Sequence, residues 1–536
     1  MRLAVVGIDG GTLALLRPMM AVGLLPEFAR IRSDGVCGTL LSTLPPTTGP
    51  AWASFMTGRN PGKHGIFDFS KPAATGRELI SYHDLRGETL WSMLSREGLR
   101  LGVINVPVTY PPPQVNGYLV SGLLTPGEAS AFTHPRELRQ ELLGAVPDYR
   151  IHTWWRWPRR DPKELVADLI RCESARLKAA EYLLDRLPTD FFMMVVSSTD
   201  HLQHYLWHLL PTDEEAALRL AAEARSRPGG LSALILEFYR LVDHVLGLVR
   251  QRVEPDGQLF VISDHGFGTL DRLIGINRWL QSQGMLRWRR PPLLPRLLRA
   301  AARADFLYLR RRLRSPSAVR GRRSSLATVR DHLDLSRTLA YAASETEQGI
   351  YLNSAADHGE LAEDILARLR GWRDPDGEPV VGSALRKEDV YHGEHLAAAP
   401  DIICLAHGES SVFDPRPTAR LFQRPGRRDK GTGTHRREGI LLACGPGIAS
   451  GAQSQGARIY DLVPTFLHLL GVPVPDGLDG RILTELLSPD LQARRPVSQA
   501  RAPERDAALR GEVAGYSVDD ANEVANRLRD LGYIDG

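Results

Sequence analysis

Short apolar runs that stop at an acidic residue or a glycine recur along this chain, and they constrain its fold more than any other feature. They are rich in Val, Ile, Leu and Phe and do not alternate with polar residues. Such runs are typical of strands buried on both faces of a parallel sheet. The clearest are Leu3–Ile8 before Asp9, Phe191–Ser197 before Asp200, Leu259–Ser263 before Asp264, and Ile440–Cys444 before Gly445.

Helical patterns lie between these runs, for example Pro162–Leu187 and Leu231–Val253. Alternating strands and helices predict an α/β fold with a mostly parallel sheet and helices on both faces. In such sheets ligands gather at the carboxyl ends of the strands, which is where Asp9, Asp200 and Asp264 lie.

The chain has 536 residues, of which 43% are hydrophobic, enough for a large core and too many for a typical single domain. Its formal net charge is only +4. This mild excess of base suits an enzyme that attracts anionic substrates, and we expect no specific binding of nucleic acid.

The four cysteines, Cys37, Cys172, Cys404 and Cys444, form no CxxC pair, so neither a disulfide framework nor a cysteine zinc site is expected. Free thiols suit a reducing compartment. The N-terminal apolar run is broken by Asp9 and resembles no signal peptide. No apolar stretch approaches the ~18 residues that span a bilayer, and these features together predict a cytoplasmic protein.

One segment, Met285–Arg323, departs from the pattern because it is dense in arginine, with Asp305 as its only acid and with Leu and Ala interleaved. We expect a helical insertion or cap, whose Arg310–Arg312 triplet is a candidate contact for an acidic surface. A solvated helical face is the simpler alternative. The predicted division is core 1–284, insertion 285–335, core 336–487 carrying His435, and a tail 488–536 with a short helix.

Several acidic and histidine residues have a spacing that suits metal binding. Asp200 and His204 are four apart, so a helix places both on one face. Asp264 and His265 are neighbours at a strand end, and their side chains can converge only in a tight turn, which Gly266 and Gly268 would allow. Taken singly, each has a simpler explanation; Asp9, for example, can cap a turn.

The segment Leu44–Phe69 contains a candidate nucleophile. Pro50 suits the first turn of a helix that runs to about Met56 and ends at Gly58. Thr48 then lies just before the helix, where free backbone N–H groups favour anions. A plain N-cap at Thr47 or Thr48 is the alternative.

Two further groups contain histidine. His435 lies in a glycine-rich loop before a strand, whereas Lys63-His64-Gly65 is interpreted as mainly structural. Together the candidates supply three carboxylates, three imidazoles and a hydroxyl. Mixed Asp and His ligands suit Zn²⁺, with Mn²⁺ as the alternative, better than Mg²⁺ or Ca²⁺. Two such ions can clamp the attacking and leaving oxygens of a displacement at phosphorus.

The ordered pattern resembles the type I phosphodiesterase/nucleotide pyrophosphatase family of the alkaline phosphatase superfamily. It consists of Asp9, then T-x-P-x₆-T-G-x-x-P-x-x-H-G, then DxxxH, then DHG, then a distant histidine. Segments such as PAWASFMTGRNPGKHGIFDF and GTHRREGILLACGPGI resemble, more narrowly, its bacterial and archaeal predicted phosphohydrolases or phosphomutases. The resemblance implies an alkaline-phosphatase-like fold and a two-metal hydrolase of phosphoric esters.

The resemblance also implies roles for individual residues. Thr48, two before Pro50 and nine before Thr57, matches the nucleophile that forms a phospho-threonine intermediate, and Thr47 fits neither spacing. The matched ligands are Asp9, Asp264 and His265 for the metal that also binds Thr48, and Asp200, His204 and His435 for the other metal.

One position departs from the family. Many family members have an asparagine three residues after the nucleophile, where it donates to a phosphate oxygen, and here that position is Ala51. Substrate preference therefore cannot be carried over. A phosphomutase or phosphotransferase and a catalytically degenerate binding protein remain alternatives, whereas a sulfatase is disfavoured because the C/S-x-P-x-R motif is absent.

Overall fold

An eight-stranded sheet runs through the middle of the protein in the computed structural model, which describes residues 1–73, 77–153, 161–289, 329–353, 358–417, 420–426, 431–454, 456–501 and 515–530. In chain order the strands are β1 (Leu3–Ile8), β2 (Val36–Leu41), β3 (Leu101–Ile104), β4 (Gly117–Val120), β5 (Thr133–His134), β6 (Phe191–Val196), β7 (Gln258–Ile262) and β8 (Glu438–Cys444). Across the sheet their order is β2-β8-β7-β1-β6-β3-β4-β5.

The middle of this sheet is parallel. Strand β1 pairs in parallel with β6 and β7, and β3 pairs in parallel with β6 and β4. Strand β8 runs antiparallel to both β7 and β2, and β5 runs antiparallel to β4. Every residue of β1, β6 and β7 is buried, which is why these strands are apolar without interruption. The predicted mostly parallel α/β sheet is confirmed.

Helices cover both faces of the sheet, and alternate residues of β1 point into the two layers. Ala4 and Val6 belong to the hydrophobic cluster on one face, and Leu3 and Val5 to the cluster on the other. Helices of the first layer are Leu13–Ala21, Pro26–Asp34, Leu138–Ala145, Pro162–Arg186, Ser198–Leu206, Glu214–Ser226 and Leu231–Arg250. Helices of the second layer are Thr48–Thr57, Leu90–Arg96, Leu462–Leu470 and Val518–Asp530.

A second domain packs its own hydrophobic cluster between short strands and two helices, Ile276–Ser282 and His358–Gly371. One of its sheets consists, in order, of Ala340–Tyr341, Gly349–Leu352, Ile402–Ala406 and Val381–Arg386. The other consists, in order, of Ser411–Asp414, Arg272–Gly275 and Phe422–Gln423. The chain returns to the central sheet at β8, and the predicted division into 1–284, 285–335, 336–487 and 488–536 stays a prediction. Short antiparallel strands bury their apolar residues against each other and carry no long apolar run that marks them in the sequence.

Most of the arginine-rich insertion, residues 290–328 with the Arg310–Arg312 triplet, lies outside the described residues, and its helical nature and role stay predictions. The ends of the insertion are described. Met285, Leu286 and Leu333 lie in the core of the second domain, and the backbone N–H of Arg289 donates to the carbonyl of His332 at 2.8 Å. The insertion therefore enters and leaves the second domain at one place.

The remaining elements are short, apart from the last helix. That helix, predicted as Ser517–Leu531 and found at Val518–Asp530, is anchored by the burial of Val524, Ala525 and Leu528. Among the described helices, none combines the length and apolarity that crossing a membrane requires. The short helices and 3₁₀ turns are Pro61–His64, Tyr82–Asp84, Trp207–Leu209, Val329–His332, Lys387–Val390, Leu396–Ala398, Ile459–Asp461, Thr484–Leu486 and Pro489–Arg494. The short strands are Ser70–Pro72, Arg77–Leu79, Gly266–Thr269, Gly433–Arg436, Val474–Pro475 and Gln499–Ala500.

Candidate metal centre

Three acidic side chains meet at the carboxyl edge of the central sheet. Asp9 follows β1, Asp264 follows β7, and Asp200 lies in the first turn of the helix Ser198–Leu206 that follows β6. Because β6, β1 and β7 are neighbours, their ends place these residues side by side. All three carboxylates are at most 1% exposed.

Asp9, Asp264 and His265 form what we call the buried half of the site. His265 Nε2 lies 3.3 Å from Asp264 Oδ2 and 3.6 Å from Asp9 Oδ1. The same nitrogen lies 3.2 Å from Thr48 Oγ1. The candidate nucleophile Thr48 is therefore in direct contact with His265, one of the predicted ligands of one metal.

Asp200, His204 and His435 form the second group, which we call the cavity half. Asp200 Oδ1 lies 3.4 Å from His204 Nε2 and 3.2 Å from His435 Nε2. Ligand atoms of these three residues lie within 4.8 Å of one another, and so do those of Asp9, Asp200 and His265. The seven residues singled out in the sequence thus come together in one place, with Asp200 between the two halves, 3.9 Å from His265 Nε2.

The three imidazoles are held in the same way, with Nδ1 against a backbone carbonyl. The carbonyls belong to Gly433 for His204 at 3.2 Å, Gly266 for His265 at 3.0 Å and Pro46 for His435 at 2.9 Å. A carbonyl oxygen can only accept a hydrogen bond, so in each neutral ring Nδ1 carries the proton and the lone pair of Nε2 faces the site. A backbone partner on the far nitrogen is the usual support of a histidine that binds a metal.

Asp264 and His265 lie in a bend between β7 and a short strand pair. Gly266–Thr269 runs antiparallel to Gly433–Arg436, with Phe267 opposite His435. The sequence predicted a tight turn at these glycines, and the structure has extended backbone instead. A Cβ on Gly266 would lie 2.0 Å from the carbonyl oxygen of Glu438, so glycine is needed here for close approach of two chain segments.

The charge states of the site favour a bound cation. Burial raises the pKa of Asp264 to about 7, and burial together with Asp264 and Asp200 raises the pKa of Asp9. Burial acts on Asp200 in the same direction, but His204 and His435 outweigh it and hold its pKa below the ordinary value. Burial lowers the pKa of His204 to about 4, so its ring is neutral at neutral pH.

The donor set fits divalent metal ions. Asp9 Oδ1 and Asp264 Oδ2 are buried with no hydrogen-bond partner among the described residues, an arrangement that is costly without a cation. His204 Nε2 and His435 Nε2 lie 3.0 Å apart, close enough to bind the same ion. Nitrogen and carboxylate ligands in this mixture suit Zn²⁺ or Mn²⁺.

The helix that carries Thr48 is Thr48–Thr57, so Thr48 is its first residue and Thr47 is the N-cap. Pro50 lies in the first turn, as predicted, whereas Thr48, predicted just before the helix, is its first residue. Gly58 ends the helix with φ 64°, as predicted. The hydroxyl of Thr47 makes no capping bond and instead donates to the carbonyl of Thr346 at 2.9 Å.

His64 has the structural role that the sequence indicated. It is fully buried, its Nε2 lies 2.9 Å from Ser54 Oγ, and its Nδ1 accepts from the N–H of Ile66. Burial lowers its pKa to about 3. His64 therefore links the Thr48 helix to the turn that follows it.

A cavity of about 340 Å³ opens beside the cavity half, between the core and the second domain. His204 and His435 lie in its wall, and the second domain contributes Glu345, Thr346 and Gln348. Sequence reasoning missed these last three residues because they belong to no motif and lie far along the chain from the other site residues. A positive φ of 42° at Gln348, unusual for a non-glycine residue, is visible only in the structure.

Comparisons with known proteins agree with this geometry. A sequence model of the family described as Type I phosphodiesterase / nucleotide pyrophosphatase matches residues 3–435. Among solved structures, phosphonoacetate hydrolase from Sinorhizobium meliloti 1021 is 16% identical with a TM-score of 0.53, covering 86% of this chain and 94% of its own. Murine ectonucleotide pyrophosphatase / phosphodiesterase 5, solved with AMP, is 16% identical with a TM-score of 0.50, covering 91% of this chain and 100% of its own. At these identities the likeness shows the fold. Comparison with curated proteins finds no match.

Proposed function

Because the chain belongs to the type I phosphodiesterase/nucleotide pyrophosphatase family, whose members are phosphoester hydrolases, we propose that it cleaves a phosphoric ester with two divalent metal ions and with Thr48 as nucleophile. The observation that carries the proposal is the contact between Thr48 Oγ1 and His265 Nε2 at 3.2 Å. The contact supports the proposal because the Thr48 hydroxyl, which has the family's spacing, then lies beside a cluster of candidate metal ligands.

The seven side chains divide naturally between two ions. Asp9, Asp264 and His265, with Thr48, would hold one ion. The cavity half would hold the other, through Asp200, His204 and His435. When bound, such ions neutralise phosphate charge and favour the alkoxide form of a hydroxyl. We propose that the two ions are Zn²⁺, with Mn²⁺ as the alternative.

The residues of the chain supply the remaining parts of the reaction. Thr48 lies at a helix N-terminus, where free N–H groups and the helix dipole favour the phosphoryl group. Its Oγ1 loses its proton and forms a bond to phosphorus while the bond to the ester oxygen breaks, and the leaving group takes up a proton as it departs as an alcohol. Water then attacks phosphorus, the bond to Oγ1 breaks, and the phosphate product is released as the Thr48 hydroxyl is restored. Burial of Thr48 and His265 excludes bulk water from the attacking atom.

A substrate panel tests the proposal. Purified protein loaded with Zn²⁺ or Mn²⁺ is assayed with nitrophenyl phosphate, bis-nitrophenyl phosphate, nucleotide-sugars and phosphonates. We expect metal-dependent turnover with preference for the diester or pyrophosphate substrates. Transfer of the phosphoryl group to an added alcohol in place of water would instead support the phosphotransferase alternative, and full activity after removal of metal by a strong chelator would refute the two-metal mechanism.

We also propose a cytoplasmic location. All four cysteines are free, three of them buried, and free thiols are typical of a reducing compartment. Fractionation of the native host with an antibody against the protein would test this, and recovery outside the cytoplasm would contradict it.

A further inference from the structure

The N-cap residue of the Thr48 helix uses its hydroxyl in an unusual way. An N-cap threonine ordinarily accepts a bond from the backbone N–H of the first helical turn. Thr47 instead donates to the carbonyl of Thr346, a residue of the second domain that is 299 positions away in sequence. The start of the nucleophile helix is therefore attached to the second domain at the residue adjacent to Thr48.

Thr346 belongs to a loop, residues 344–348, that is itself firmly held. Thr346 Oγ1 donates to Asp68 Oδ1 at 2.6 Å, and Asp68 is 1% exposed. Arg77 donates to Glu347 Oε1 at 2.6 Å and lies 3.6 Å from Asp68 Oδ2. A buried, charged network thus fixes the loop to the core on the side of the Thr48 helix.

The same loop is a wall of the cavity beside His204 and His435. Gln348 in this loop has a positive φ of 42°. Its carbonyl accepts a hydrogen bond from the backbone N–H of Cys404 at 2.9 Å. Such conformations persist only where surrounding contacts enforce them, and they cluster at functional sites. The loop that holds Thr47 therefore also lines the cavity beside the cavity half.

We propose that Thr47, held by Thr346, is a positioning residue: it fixes the first turn of the Thr48 helix and so holds Thr48 Oγ1 against the buried half. This rests on the proposed role of Thr48 as nucleophile. Small displacements of a reacting group are expensive in rate, about 10²-fold for 1 Å, so a single hydrogen bond beside the nucleophile has a measurable effect.

The test uses two variants that separate the role of the Thr47 hydroxyl from that of its methyl group. Thr47→Val keeps the shape and removes the donor, and Thr47→Ser keeps the donor. With bis-nitrophenyl phosphate and a saturating metal, we expect Thr47→Val to lower kcat about tenfold with KM within about twofold, because orientation and not binding is lost. Thr47→Ser should restore most of kcat.

Thr43→Val is the matched control. The hydroxyl of Thr43 is buried in the same segment and donates to the carbonyl of Pro45 at 2.9 Å, without reaching the second domain. We expect its kcat to stay close to that of the wild type. An equal loss of kcat in Thr43→Val and Thr47→Val would overturn the proposal, because removing either hydroxyl from this segment would then lower kcat to the same extent.

A second readout does not depend on activity. The N–H of Ala51 donates to the carbonyl of Thr47 at 3.0 Å, the first bond of the helix. In metal-free protein, hydrogen exchange at Ala51 should be several-fold faster in Thr47→Val than in the wild type and unchanged in Thr43→Val. Unchanged exchange in Thr47→Val would refute the positioning role, whereas an active Thr48→Ala variant would refute the nucleophile assignment and leave the exchange result standing.

Discussion

The buried half and the cavity half of the site contain the same residue types in different surroundings. His265 is fully buried, whereas the side chains of His204 and His435 are 19% and 12% exposed and lie in the cavity wall. Thr48 contacts the buried half only through His265 in the hydrogen bonds that the structure shows. The two halves therefore differ in access: the cavity half lies in the cavity wall, and the buried half lies against the candidate nucleophile Thr48.

The largest effect should come from Thr48→Ala, which removes the proposed nucleophile beside the buried half. We expect turnover to fall by several powers of ten, with fold and bound metal largely retained. Steady-state kinetics, metal analysis and circular dichroism check this. Thr47→Ala should lower turnover much less than Thr48→Ala does. An inactive Thr47→Ala variant together with an active Thr48→Ala variant would mean that Thr47 is the nucleophile.

Removing one ligand from each half should be nearly as damaging. Loss of a residue that merely orients a ligand costs ~10–100-fold, so Asp264→Asn and His435→Ala should each cost more than that in activity. Metal analysis should find about two ions per wild-type chain and fewer in both variants. Retention of both ions and of activity in either variant would remove that residue from the ligand set.

The difference in exposure gives this experiment a control. Added imidazole should partly restore His435→Ala, because the missing ring lies in the cavity wall. It should not restore His265→Ala, because that ring is 0% exposed. Equal rescue of both variants would contradict the distinction between a buried half and a cavity half.

A smaller effect is expected from Ala51→Asn, one helical turn after Thr48. The new amide can donate to a non-bridging phosphate oxygen, and a bond to a charged group is worth roughly 1.5–3 kcal/mol. Competitive inhibition by vanadate or nucleoside monophosphates should therefore strengthen by about ten- to a hundredfold at most. Unchanged or weaker inhibition in a folded variant would indicate that another residue already supplies this contact.

The smallest effect concerns pH and the metal-free protein. Burial raises the pKa of Asp264 to about 7, so the folded chain keeps this proton over a range in which the unfolded chain, with a pKa near 3.9, has released it. Stability contributed by this group falls as pH rises from about 4 to about 7. The Tm of metal-free Asp264→Asn, relative to metal-free wild type, should therefore increase by a few degrees over this window. A constant difference in Tm would show that Asp264 does not titrate there.

Much of this protein was determined by local sequence. The uninterrupted apolar runs require burial on both faces, so β1, β6 and β7 and the acids that follow them were predictable. The helix Pro162–Arg186 begins at the predicted residue because Asp161 accepts from Lys163 N–H and proline suits the first turn. Family spacing distinguished Thr48 from Thr47, since such a register depends only on positions along the chain.

Tertiary structure alone decided how the site is supported and reached. The bond from Thr47 to Thr346, the carbonyl partners of His204 and His435, and the strand pair that brings His435 opposite Phe267 all join segments that are far apart in sequence. No periodicity or motif encodes such pairings, because each depends on where two distant segments meet once the core has formed. The second domain shows the same limit, because its short strands are stabilised by contacts with one another. Only the assembled fold reveals that its loop at residues 344–348 lines the cavity beside the candidate metal ligands.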